Sequence, residues 1–134
     1  MEDKTSQMKG SKAIRYSMAL LFPLVGITHF THPSFFESIV PPVLPWPLFW
    51  VFSSGFFEIL FGIGLMTSYR KYAAYGLILL LIAVFPANIY LAVSPVAQEA
   101  LATTKTIAVI RLPFQFLFIW MAYSQTRVSE YIKS

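Results

Sequence analysis

Six polar side chains fall inside stretches that are otherwise almost wholly apolar: His29, Ser54, Glu58, Asn88, Arg111 and Gln115. An ionisable group near the centre of a membrane helix costs roughly 2.5–3.5 kcal/mol on insertion scales, so it turns inward and finds a partner or a ligand. Ser54, Glu58 and Gly62 follow i, i+4, i+8 spacing, and Arg111 and Gln115 are i, i+4, so each set shares one helix face. A carboxyl, a guanidinium and carboxamides brought to one level can grip the polar head of an apolar molecule. They can equally tie helices together. Glu58 and Arg111 therefore read either as a buried structural ion pair or as a pair that also contacts a ligand. Asn88 reads as an interhelical hydrogen-bonding group or as part of a site wall. His29 and His32 lie near a segment end, where an interfacial role is the default; a metal or haem site would lack a third ligand.

Other chemistries find little support. The chain has no cysteine, so it supplies no disulfide, thiolate metal site, iron–sulfur cluster or dithiol relay. There is no phosphate-binding glycine loop, dinucleotide fingerprint, zinc-protease helix or nucleophile elbow. Ser53-Ser54-Gly55 beside Glu58 is no hydrolase signature, and the carboxylates of Glu37 and Glu58 stand on different elements, which disfavours a paired acid–base system. These observations lead to the expectation that the chain carries neither intrinsic catalysis nor an intrinsic cofactor.

The elements that must carry these residues follow from composition. Of 134 residues, 57% are hydrophobic, 17% aromatic and only 12% charged. A soluble domain carries about 25% charged residues to solvate its surface. Four apolar segments, about 13–31, 48–67, 72–94 and 106–125, each approach the roughly 20 residues a helix needs to cross hydrocarbon. Barrel strands would be near 10 residues with alternating polarity, and no such alternation occurs. The expected fold is all-α, a four-transmembrane-helix bundle over 13–125. A polar tail over 1–12, expected to be disordered, precedes it, and a tail over 126–134 follows. The first segment has the basic flank of a signal peptide but no small-residue cleavage site after it, so it is expected to be a retained helix.

The net charge is +4, yet its placement speaks against nucleic acid. Lys4, Lys9, Lys12 and Arg15, then Arg70 and Lys71, then Arg127 and Lys133 all flank apolar runs on one side of the expected membrane. Lys105 alone falls on the other side. This asymmetry predicts cytoplasmic N- and C-termini. Trp46 and Trp50 would then mark the outer interface, and Tyr16, Tyr69, Tyr72 and Tyr123 the inner one. Residues 33–47, rich in proline and aromatics, predict a short interfacial helix and then a segment lying on or dipping into the membrane.

With that topology and a rise of about 1.5 Å per residue, His29 lies roughly 3 Å below the outer boundary, Arg111 roughly 8 Å, Asn88 roughly 9 Å and Glu58 roughly 15 Å. The convergence predicts one polar site in the outer half of the bundle. Ala73, Gly76, Leu80, Ala83 and Ala87 form a seam suited to close packing. Pro86 and Pro113 free the carbonyls of Ile82 and Val109, which then need partners or must line a cavity.

Five ordered blocks carry a family likeness: Gly26-x-x-His29-x-x-x-Pro33; Ile39-Val40-Pro41-Pro42-x-x-Pro45; Ser54-Gly55-x-x-Glu58-x-x-x-Gly62-x-Gly64-Leu65; Phe85-Pro86-Ala87-Asn88-Ile89-Tyr90; and Arg111-x-Pro113-x-Gln115. Across nearly all of 13–125 the chain resembles the DoxX-like family of small bacterial membrane proteins. That resemblance implies a bacterial inner-membrane location and, through some relatives, an association with membrane redox complexes. The leading expectation is an accessory or anchor subunit that holds a quinone or lipid-like molecule. Arg111 and Gln115 would donate to the head group, Glu58 would hold Arg111 or relay a proton, and Asn88 would complete the polar wall. A bound quinone is the candidate cofactor; the bilayer, a membrane redox complex or further copies of the chain are the candidate partners. A small oligomeric transporter and a purely structural module are the alternatives.

Overall fold

The computed structural model describes residues 2–126, with side chains described from Ser11 onward. Among these residues there are six helices and no strand: α1 (Glu2–Thr31), α2 (Pro33–Glu37), α3 (Pro47–Gly64), α4 (Arg70–Val93), α5 (Pro95–Ala100) and α6 (Lys105–Thr126). Four stretches are long and apolar enough to cross a membrane: Ser11–Thr31 of α1, and α3, α4 and α6 over their full lengths. The fold is an all-α four-helix bundle, and the protein is a multi-pass membrane protein. Its exterior is correspondingly apolar. Leu79, Phe116 and Trp120 are all more than half exposed, which acyl chains tolerate and water does not.

Helix ends are closed by side chains and prolines. Pro33, Pro47 and Pro95 occupy first-turn positions, where a missing N–H leaves nothing unsatisfied. Ser94 Oγ accepts the Ala97 amide at 3.2 Å, and Thr104 Oγ1 accepts that of Ile107 at 3.2 Å. Gln98 Nε2 donates to the carbonyls of Leu91 (3.0 Å) and Ala92 (3.2 Å), serving the last turn of α4. In the α3–α4 turn, Thr67 Oγ1 donates to Gly64 O at 2.7 Å and Arg70 Nε to Leu65 O at 3.0 Å. Such bonds replace the water that is scarce at a membrane-embedded helix end.

Three boundaries differ from expectation. α1 begins at Glu2, so the expected disordered tail over 1–12 is helical where described. The stretch lacks proline, and extending an existing helix avoids the nucleation cost. α3 stops at Gly64 and not near Thr67, and α4 starts two residues early at Arg70, because the capped turn between them is short. The loop before α6 contains a further short helix, α5. Of the tail expected over 126–134, Thr126 still belongs to α6, and the rest lies outside the described residues.

The bundle is built as two pairs. α1 packs along α3 and α4 along α6; α3 meets α4, whereas α1 scarcely meets α6. Glycine sets the first pairing. A Cβ on Gly26 would fall 2.6 Å from the Gly55 carbonyl oxygen, and one on Gly62 would fall 2.5 Å from Cδ of Pro23. Pro23, inside α1, thus docks into the gap at Gly62. At the end of the α3–α4 turn, here called the hairpin end, Met18, Phe22, Leu65, Ala73, Leu77 and Ala122 join both pairs in one core. At the opposite end a second core holds Leu91, Ala92, Ala97, Leu101 and Ala108, all from α4, α5, α6 and the adjoining turn. Ile39, after α2, is the one residue there from the other half of the chain.

Candidate functional site

Between the two pairs lies a cavity of about 380 Å³ whose wall includes all six polar residues singled out above: His29, Ser54, Glu58, Asn88, Arg111 and Gln115. Five helices and a loop contribute. The floor, toward the hairpin end, is made by Leu81 and by Phe22 and Phe118, whose rings meet edge to face at 6.2 Å. The roof is the segment after α2, with Ile39, Val40, Pro41 and Leu44, together with Trp50 of α3. Trp46 adopts a left-handed backbone (φ 53°) as the chain turns into α3, and Trp50 Nε1 donates to Pro45 O at 2.8 Å, binding the roof to the helix below it.

The α1–α3 side carries the acid. The tight glycine contact brings His29 over Glu58: His29 Nδ1 lies 3.3 Å from Glu58 Oε2. His29 is buried, and its ring stacks on Phe36 with centroids 3.8 Å apart. The same Nδ1 is 2.9 Å from the Val25 carbonyl, which can only accept, so the ring hydrogen sits on Nδ1 and is directed to Val25. Glu58 Oε2 is therefore buried beside the imidazole without a hydrogen-bond donor of its own. Ser54 sits one turn earlier on α3, on the same stripe.

The α4–α6 side carries the amides and the guanidinium. Asn88 Nδ2 donates to Gln115 Oε1, and Gln115 Nε2 donates to Leu81 O at 2.5 Å. This two-bond relay ties α6 to α4 across the turn that precedes Pro86. The carbonyl reached is that of Leu81, one residue before the Ile82 carbonyl that Pro86 leaves without its amide; among the described residues no side-chain donor bonds Ile82. Arg111 lines the cavity one turn before Gln115. Ala83 and Ala87, from the predicted seam, face the cavity, whereas Ala73 is buried in the core and Gly76 packs on the Phe61 ring.

The expected contact between Glu58 and Arg111 does not form; among the described residues no ion pair joins them, and the near neighbour of Glu58 is His29. The reason is helix pairing. Glu58 stands on the helix that packs with α1, Arg111 on the one that packs with α4, and the pairs part around the cavity. The two residues face each other across it and do not touch. Sequence reasoning missed Phe36, Trp50, Phe22 and Phe118. Only Trp50 carried a signal, as an aromatic at the expected interface; the Phe36–His29 stack depends on the chain reversal at His32–Pro33. Among the described residues no cluster of three His, Cys, Asp or Glu is placed to hold a metal.

Comparison with known families matches residues 18–126 to the Domain of unknown function DUF8561. The chain belongs to the DUF8561 family. The match takes in the whole wall of the cavity, from Leu21 to Phe118, and α2 to α6 entire. No curated protein and no solved structure matches this DUF8561 chain.

Proposed function

We propose that this DUF8561 protein is an accessory membrane protein that holds the polar head of a quinone or lipid-like molecule in the cavity between its helix pairs. The observation that carries the reading is the gathering of six polar residues from α1, α3, α4 and α6 around one cavity with otherwise apolar walls. A volume of about 380 Å³ falls in the range of small-molecule sites, and a few convergent polar groups in an apolar pocket are what such sites use. In this reading Arg111 donates to the head group while Gln115 and Asn88, bonded to each other, form a fixed amide wall. His29 and Glu58 form the opposing wall. The charge asymmetry of the loops supports cytoplasmic termini, placing the roof on the outer side. The likeness to DoxX-like proteins supports a bacterial inner membrane and a redox-associated partner.

The test is purification into nanodiscs, with an absorption spectrum and mass spectrometry of the extracted lipids. A retained quinone or lipid at stoichiometric level, lost in Arg111→Ala, is the expected result. If nothing co-purifies, or if Arg111→Ala leaves retention and function unchanged, the reading fails. A second reading, transport, draws on the same open geometry: Glu58 and Arg111 are not locked together and so are free to change partners. Substrate- or proton-coupled flux in vesicles would favour it.

A further inference from the structure

We propose that the head group taken by this cavity is zwitterionic, that of an aminophospholipid, with its phosphate against Arg111 and its ammonium against Glu58. This rests on the reading of the cavity as a head-group site and narrows it to one chemistry.

The argument begins with charge. Glu58 and Arg111 line one cavity from opposite helix pairs, and no ion pair joins them. Glu58 Oε2 is buried without a donor, since the hydrogen of the adjacent His29 nitrogen is directed to the Val25 carbonyl. Arg111 has no carboxylate partner among the described residues. An acid and a guanidinium left apart in an apolar cavity are each costly, because burial of charge is repaid only by a close opposite charge. A neutral ring supplies hydrogen bonds but neither counter-charge. A purely anionic head satisfies Arg111 and meets Glu58 with like charge. A head with an anion and an ammonium two carbons apart supplies both at once.

The walls agree. Phe36 and Trp50 line the same cavity as Glu58, and aromatic faces favour an alkylammonium over water-exposed alternatives. Two wall residues, Leu21 of α1 and Ala83 of α4, are exposed, and α1 scarcely meets α6, so the cavity is not closed off from the surface between the pairs. The head group is thus enclosed among charges while its chains leave sideways into the bilayer.

The test uses the full chain, delipidated in detergent, with native mass spectrometry and thermal shift as readouts. The probes are phosphatidylethanolamine, phosphatidylglycerol, decylubiquinone and free leucine. Phosphatidylethanolamine is expected to bind in preference to phosphatidylglycerol. Glu58→Gln is expected to weaken phosphatidylethanolamine by roughly thirtyfold or more, the effect of removing one partner of a desolvated charge pair, with phosphatidylglycerol binding kept or improved. That retained binding also shows the variant is folded. Arg111→Gln should weaken both lipids. Equal binding of the two lipids by the unsubstituted chain, or undiminished phosphatidylethanolamine binding in Glu58→Gln, overturns the proposal. Displacement of the lipid by leucine would overturn the lipid as source. Decylubiquinone binding without phosphatidylethanolamine binding sinks this inference and leaves the head-group reading intact; binding of no amphiphile sinks both.

Discussion

Gly55→Ala adds a single methyl group where α1 and α3 come closest. Its Cβ would lie 2.6 Å from Cβ of His29 and 2.8 Å from the Gly26 carbonyl oxygen, against 3.4 Å for ordinary contact. Neither neighbour can swing away, since one is backbone and the other is bonded to it. The helices must separate by about 0.8 Å, the difference between 3.4 and 2.6 Å, and His29 moves off Glu58 with them. Overpacking of this kind costs about 1–3 kcal/mol, and the better helix propensity of alanine returns somewhat less than about 1 kcal/mol. A rigid clash belongs in the upper part of that range, leaving a net loss of about 1–2 kcal/mol. Gly76→Ala is the internal control: the three atoms nearest its Cβ would all belong to the Phe61 ring, the first at 2.6 Å, and a phenyl at the end of a side chain can rotate. Thermal unfolding in mild detergent, followed by circular dichroism, should show Gly55→Ala as clearly less stable than Gly76→Ala. Ligand retention should fall for Gly55→Ala alone. If Gly55→Ala is as stable as the parent, or Gly76→Ala the more damaging of the two, the account of how α1 is positioned is wrong.

Three further outcomes are expected. A double-mutant cycle on Asn88→Ala and Gln115→Ala should give a coupling energy of about 0.6–1.7 kcal/mol, the range for interhelical hydrogen bonds in membranes; additivity would mean the relay is absent in the bilayer. Glu58→Leu removes a buried, unpartnered carboxyl oxygen and should raise stability by about 1–3 kcal/mol while weakening binding of the zwitterionic head group; a destabilised variant would show that Glu58 is a structural partner after all. Because the chain has no cysteine, single cysteines report topology directly. An impermeant maleimide on intact cells should label Lys105→Cys and spare Lys12→Cys, and the reverse pattern would invert the proposed orientation.

Much of the site was legible before any packing was known, for a definite reason. A bilayer forces each span to be a helix of set length, and a helix converts residue number into depth. His29, Glu58, Asn88 and Arg111 could therefore be placed at neighbouring levels by counting alone, and their polarity in lipid turned them inward. Counting does not say which helix stands beside which. Opposite charges at similar depth invited a Glu58–Arg111 pair, whereas the structure sets Glu58 beside His29 and leaves Arg111 across the cavity.

By itself the sequence determined four spans, the faces carrying Ser54–Glu58 and Arg111–Gln115, and the levels at which polar groups lie. Those properties are local, set by hydrophobic length and helical periodicity. Only the tertiary structure decided that α1 pairs with α3 and α4 with α6, that Phe36 covers His29, and that Ile39 anchors the roof to the far pair. Such choices depend on where small residues allow backbones to approach, as at Gly26 and Gly55, and on a chain reversal at Pro33. That is steric complementarity between segments distant in the chain, which no periodicity within either one records.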